Sequence, residues 1–141
     1  MSTKTNKATV RGYLERINAR DLAGLEPFFA PRIVANGQSL SRSDYIRTLA
    51  PLLAALPDLQ ITLEELVAEG ETVAGRATFR GTHRGALLGI APTGTAVAFS
   101  SIGVFHLRDG AITGLWFNHD TLALLGQLGA TITPPAAVPA P

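Results

Sequence analysis

Thr95-Ala96-Val97-Ala98-Phe99-Ser100-Ser101-Ile102-Gly103-Val104-Phe105-His106-Leu107-Arg108-Asp109-Gly110-Ala111-Ile112-Thr113-Gly114-Leu115-Trp116-Phe117-Asn118-His119-Asp120 is the stretch that decides the fold. Residues 95–107 read as one long strand with two largely apolar faces, so it needs cover on both sides. Asp109-Gly110 is a two-residue hairpin signal, and residues 111–119 alternate again. The two strands are expected to pair antiparallel. Alternation puts Phe99, Gly103 and Phe105 in phase on one face, joined by Leu115, Phe117 and His119 from the second strand. Trp116, Asn118 and Asp120 fall on the other face.

Upstream, the same period of two runs from Leu59 through Ile61 and Leu63. It returns in residues 72–82, where Val73, Gly75, Ala77, Phe79 and Gly81 share a face. A Gly- and Pro-rich link (Gly85, Gly89, Pro92, Gly94) joins this strand to the quoted stretch. Before residue 59 the period is helical. Val10, Tyr13, Leu14 and Ile17 form one apolar stripe, and Asp21 is a suitable N-cap for a second short helix ending near Pro31. Ile33–Ala35 could be a short strand before Asn36-Gly37, which is turn chemistry. Ser41-Arg42-Ser43-Asp44 resembles a capping box opening a third helix with Tyr45, Ile46, Leu49, Leu52, Leu53 and Leu56 on its buried side, interrupted at Pro51 and closed at Pro57. Downstream, Asp120 caps a last short helix through Leu122, Leu125 and Leu128, stopped by Gly129.

Helices first and strands afterwards argue for an α+β fold: a curved antiparallel sheet with N-terminal helices packed on one face, leaving a pocket between the layers. Residues 1–130 are expected to form one domain and residues 131–141 a flexible Pro/Ala-rich tail. The apolar outer face of the strands implies a homodimer.

The 141 residues are 46% hydrophobic and 16% charged, which suits a single globular domain and excludes disorder throughout. A formal charge of +1 gives no field that would recruit nucleic acid or an anionic membrane. No cysteine is present, so thiolate chemistry, disulfides and Cys-type zinc sites are ruled out. The polar start and the lack of a long apolar run lead to the expectation of a soluble, cytoplasmic protein.

His83, His106 and His119 are the only imidazoles, and none has a metal-ligand partner at helical spacing. No glycine-rich loop joins a strand to a helix as a phosphate site requires. Ser100 and Ser101 lack a nucleophile elbow. Arg76, Arg80 and Arg84 have neither the clustered aromatics nor the excess charge of an RNA surface. His83 reads as a satisfied histidine at the sheet rim. His119 reads either as a strand-end histidine bonded to backbone or, if it faces the pocket, as a group suited to proton transfer near neutrality.

Thr82-His83-Arg84-Gly85, Leu88-Gly89-Ile90-Ala91-Pro92-Thr93-Gly94, Leu107-Arg108-Asp109-Gly110, Trp116 and Leu124-Leu125-Gly126-Gln127-Leu128-Gly129 together resemble the SnoaL-like polyketide cyclases, over residues 7 to 130. The resemblance implies a cone of the nuclear-transport-factor-like superfamily, usually dimeric, with a pocket inside. The family's ester cyclases close rings on aromatic polyketides by an intramolecular aldol step without a cofactor. Superfamily relatives isomerise, hydrolyse epoxides, hydroxylate or only bind. The family's acid/base is an aspartate directly after the position of Trp116, where this chain has Phe117. The family's histidine aligns with Gly103 rather than with His106, which faces the other way. Both departures make the cone interior apolar.

The expected activity is therefore cofactor-independent cyclisation of an apolar polyketide-type intermediate, with ring closure driven by folding of the substrate. Tyr13 and His119 are the candidate catalytic groups, as hydrogen-bond donors to a carbonyl. Ile17, Phe99, Ser101, Phe105, Leu115 and Phe117 are the candidate substrate contacts, and no metal or cofactor is expected. Two alternatives share the same pocket: a binding protein that leaves its apolar ligand unchanged, and an acid/base aldol cyclase or isomerase using His119 with Asp120 orienting it.

Overall fold

Asp109 and Gly110 both adopt positive φ, 52° and 80°, and Arg108 pairs directly with Ala111, so the Asp-Gly turn is the two-residue hairpin its chemistry dictates. The strands it joins are β5 (Ala96–Arg108) and β6 (Ala111–His119). Upstream lie β3 (Gln60–Glu69) and β4 (Thr72–Thr82), joined through Gly70 at φ 56°. The computed structural model describes residues 2–140.

The first helix, α1 (Thr3–Asn18), is capped by the Ser2 hydroxyl, which accepts from Thr5 N, and buries the Val10, Tyr13 and Ile17 stripe. The second short helix is a 3-10 helix, Ala23–Phe28, and Asp21 accepts from Gly24 N at its start. The third is split as Pro51 requires: α2 (Arg42–Arg47), opened by Ser41 accepting from Asp44 N, and α3 (Ala50–Ala55) with the proline in its first turn. The closing helix α4 (Thr121–Gln127) is capped by Asp120, which accepts from Ala123 N.

The sheet has six strands in the order β2-β1-β6-β5-β4-β3. It differs from an all-antiparallel cone in one place: β1 (Phe29–Ala35) pairs parallel with β6. The chain reaches that edge from the N-terminal helices, running the same way as the strand it meets. The strand also starts earlier than Ile33. Pro31 lies inside it, where a register shift between Phe29 and Val34 absorbs the missing donor. Asn36 and Gly37, at φ 49° and 86°, turn the chain into β2 (Gln38–Ser41), a strand too short to show a period in sequence.

Two carboxamides complete backbone that strands leave open. Gln127 donates to Ala98 O (2.7 Å) and accepts from Ala98 N (2.8 Å), standing in for β6, whose pairing with β5 stops at His119 opposite Ser101. Asn18 does the same for Ile61 on the edge strand β3, at 2.9 and 2.7 Å. His83, just past the end of β4, is fully buried; its Nδ1 accepts from Thr93 N (3.1 Å), which fastens the β4–β5 link there, but its Nε2 is buried without a hydrogen-bond partner, so the ring is not the satisfied histidine expected. Residues 131–140 carry no helix or strand, and no helix among the described residues is long and apolar enough to cross a membrane.

Candidate active site

The register of the sheet makes a hollow. Across the inner face, Gly75, Gly103 and Phe117 form one row, and Ala77, Ser101 and His119 form the next. Larger side chains stand on either side: Val73, Phe105 and Leu115 in one row, Phe79 and Phe99 in another. Four small residues between bulky neighbours lower the floor of the sheet. The glycines keep that floor tight, since a Cβ on Gly103 would lie 3.2 Å from the Phe105 ring and one on Gly75 2.8 Å from a Leu66 methyl.

Over this floor, α1 supplies Val10, Tyr13, Leu14 and Ile17, α2 supplies Tyr45, the α2–α3 junction Leu49, and α3 Leu52 and Leu53, while β3 closes the side with Ile61, Leu63 and Leu66. The hollow encloses about 90 Å³ and opens to solvent at its mouth. No carboxylate or lysine lines it. Among the described residues, no three His, Asp or Glu side chains come together as a metal site would need.

Three titratable groups reach the cavity. Tyr13 and Tyr45 share a 2.7 Å hydrogen bond between hydroxyls, braced by Phe29, whose ring lies 5.4 Å from Tyr13 and 5.3 Å from Tyr45. Burial, then the neighbouring Tyr45, holds the Tyr13 hydroxyl well above the ordinary phenol range. Burial pushes Tyr45 up to about 12, against a lowering by its bond with Tyr13. Both phenols are therefore protonated at neutral pH.

His119 is the third group. It sits among Phe79, Phe99 and Phe117, with ring centroids 5.1, 5.6 and 5.1 Å away, and desolvation lowers its pKa from the usual imidazole value. It is neutral at pH 7. Its Nδ1 is buried without a hydrogen-bond partner. An unbonded lone pair there costs less than an unbonded N–H, so the proton belongs on Nε2, the nitrogen left to the cavity. Asp120 does not orient this ring: no hydrogen bond joins the two side chains, and Asp120 Oδ1 instead accepts from Ala123 N.

Of the residues expected from sequence, Tyr13, Ile17, Ser101, Phe105, Leu115, Phe117 and His119 all line the cavity. Phe99 does not. It lies behind the wall, 4% exposed, packed on Phe79 and His119. Its phase is right, but the far end of β5 runs past the hollow under α4. Tyr45 was missed as a site residue because its helical spacing is that of any core position.

The domain is thus a cone-shaped α+β fold with a mostly apolar, carboxylate-free pocket under its helices. The chain belongs to the SnoaL-like polyketide cyclase family, whose model matches residues 7–128. It is similar to the solved structure of AclR from Streptomyces galilaeus, provisionally assigned as a hydroxylase: 30% identity over 91% of this chain and 98% of that one, TM-score 0.82. IdmH from Streptomyces antibioticus, a provisional polyketide cyclase, is 28% identical over 89% and 99% of the two chains, TM-score 0.80. A SnoaL-like polyketide cyclase from Agrobacterium tumefaciens is 26% identical over 92% and 100%, TM-score 0.81. No curated protein gives a significant match.

Proposed function

We propose that the protein is a cofactor-independent cyclase that closes a ring on an apolar polyketide-type intermediate by folding it in the cavity, by a pericyclic or related intramolecular C–C bond formation. The observation that carries this reading is the row Gly75, Gly103, Phe117. The two positions where the resemblance puts the family's histidine and aspartate are direct cross-strand partners, and here they hold a hydrogen and a phenyl ring. An aldol closure needs a base to remove a proton. In a pericyclic closure new σ bonds replace π bonds within one molecule and no proton leaves.

Such a step gains from orientation, and well-placed intramolecular reactions gain about 7–11 kcal/mol this way. The Phe117 and Phe105 rings and the leucines of α3 supply a surface against which a flexible polyene can coil. Tyr13 and the Nε2–H of His119 supply neutral hydrogen bonds that can polarise a carbonyl and speed the closure. In this reading the protein works in the cytoplasm as a homodimer joined through the outer face of the sheet, where Ile102 and Trp116 are exposed.

The test is incubation with the late linear intermediate of a polyketide pathway encoded beside it, followed by mass and ultraviolet absorbance. The expected product has unchanged mass and shorter conjugation, and Phe117→Ala slows its formation more than His119→Ala. Recovery of unchanged ligand after saturating binding would instead mark a carrier. A loss of a hundredfold or more in His119→Ala alone would mark acid/base catalysis.

A further inference from the structure

Tyr13 and Tyr45 come from different helices and stand 32 residues apart in sequence, yet their hydroxyls meet at 2.7 Å on the wall of a cavity whose only other polar side chains are Ser101 and His119. Two phenols carry two O–H protons. Their mutual hydrogen bond uses one, and neither hydroxyl has any other hydrogen bond among the described residues. One proton is thus left over, in a place where burying an unpaired donor is costly. Either oxygen can be the donor of the mutual bond, so the spare proton can be offered from either ring.

We propose that the Tyr13–Tyr45 pair is a two-residue donor that binds a neutral carbonyl or enone oxygen of the substrate, and that Tyr45 positions and strengthens this donor as well as sharing it. The inference rests on the cavity being the substrate site, and its test needs no turnover. The substrate class follows from the chemistry. The group bound here is an acceptor with no charge of its own, since no cation lines the cavity to compensate an anion. The rest of the ligand is apolar.

The O–H that accepts from its neighbour is a better donor than a lone phenol, because hydrogen bonds in a chain polarise one another. The bracing by Phe29, and the edge contact of Tyr13 with Phe105 at 5.8 Å, fix both rings before any ligand arrives. Both hydroxyls stay protonated across the physiological range, so the donor does not switch with pH.

The count of protons gives an unusual expectation for substitutions. In Tyr45→Phe, Tyr13 keeps its own proton and still donates, and the reverse holds in Tyr13→Phe. Only the double variant has none. The probe is benzylideneacetone, an apolar enone, bound to the wild-type protein and read by the infrared frequency of its carbonyl. The band is expected to fall below its position in hexane in the wild type, to fall less in each single variant, and to rise furthest towards the hexane position in the double variant, where His119 and Ser101 are the remaining polar side chains of the cavity. Binding of the probe to the double variant is checked by difference ultraviolet absorbance, and its fold by circular dichroism. A wild-type band at the hexane position, or a band in the double variant as low as that of the wild type, overturns the assignment. Failure of ring closure with a polyketide substrate would leave this spectroscopic result standing, so the two readings fail separately.

Discussion

Leu115 and Trp116 are adjacent in β6 and point to opposite faces of one sheet. Leu115 is 2% exposed against the cavity and core, and Trp116 is 50% exposed on the outside. The inner face is dry, and its histidine is kept neutral by its neighbours. The outer face carries Val34, Val67, Ile102 and Trp116 in water, beside polar pairs such as Arg76 with Glu65 at 2.8 Å. One alternating sequence thus builds a ligand surface and an exposed surface at once, and their apolar residues do different work. The inner ones pack the core and shape its hollow, while the outer ones stand exposed.

Leu115→Ala should show the largest effect, about 2–5 kcal/mol of stability lost, because a fully packed side chain leaves a cavity behind. Urea unfolding measures it, and a loss below that of Trp116→Ala would break the contrast between the faces. Phe117→Ala should be milder in stability but lower turnover on a ring-closing substrate about tenfold or more, since it removes a surface that orients the substrate. That is checked by initial rates at saturating substrate.

His119→Phe tests the dryness of the inner face through pH. The folded state holds this imidazole neutral below its unfolded pKa, so on acidification the unfolded chain takes up a proton before the folded one does. Its contribution is complete above the unfolded pKa of about 6.5 and is lost as pH falls below that value towards the depressed folded one. The variant should therefore lose less stability than the wild type between neutral pH and pH about 5, the interval below the ordinary imidazole value. Parallel pH profiles from chemical unfolding would contradict the neutral, desolvated ring. Trp116→Ala should change the stability of the isolated domain least, by about 0.5 kcal/mol or less. Paired with Ile102→Lys, it should reduce the mass seen by analytical ultracentrifugation if the outer face joins two copies, and an unchanged mass would separate that face from assembly.

The inner face was legible because a period of two survives in β4, β5 and β6. Phe105, Leu115, Phe117 and His119 fall in phase from the sequence alone, and the Asp-Gly turn fixes how the last two strands meet. The helix broken at Pro51 and the caps at Ser41 and Asp120 were legible for the same reason, since their causes are local. What escaped reading depends on contacts between distant segments. The parallel pairing of β1 with β6, the Pro31 bulge and four-residue β2 have no periodic signature. Tyr45 becomes a site residue only when α2 is laid beside α1. Phe99 has the right phase and the wrong place, because alternation reports which face a residue occupies and not how far along the cone it lies.

The floor of the hollow is low because Gly75, Ala77, Ser101 and Gly103 withhold side-chain volume. Its depth is therefore set from below, by single carbons on the sheet rather than by the helical roof. Gly103→Ala would press only on the edge of the Phe105 ring, at 3.2 Å. A scaffold of this kind can act as an adjustable mould, in which the length of loop a substrate must form is set by the relief of the floor.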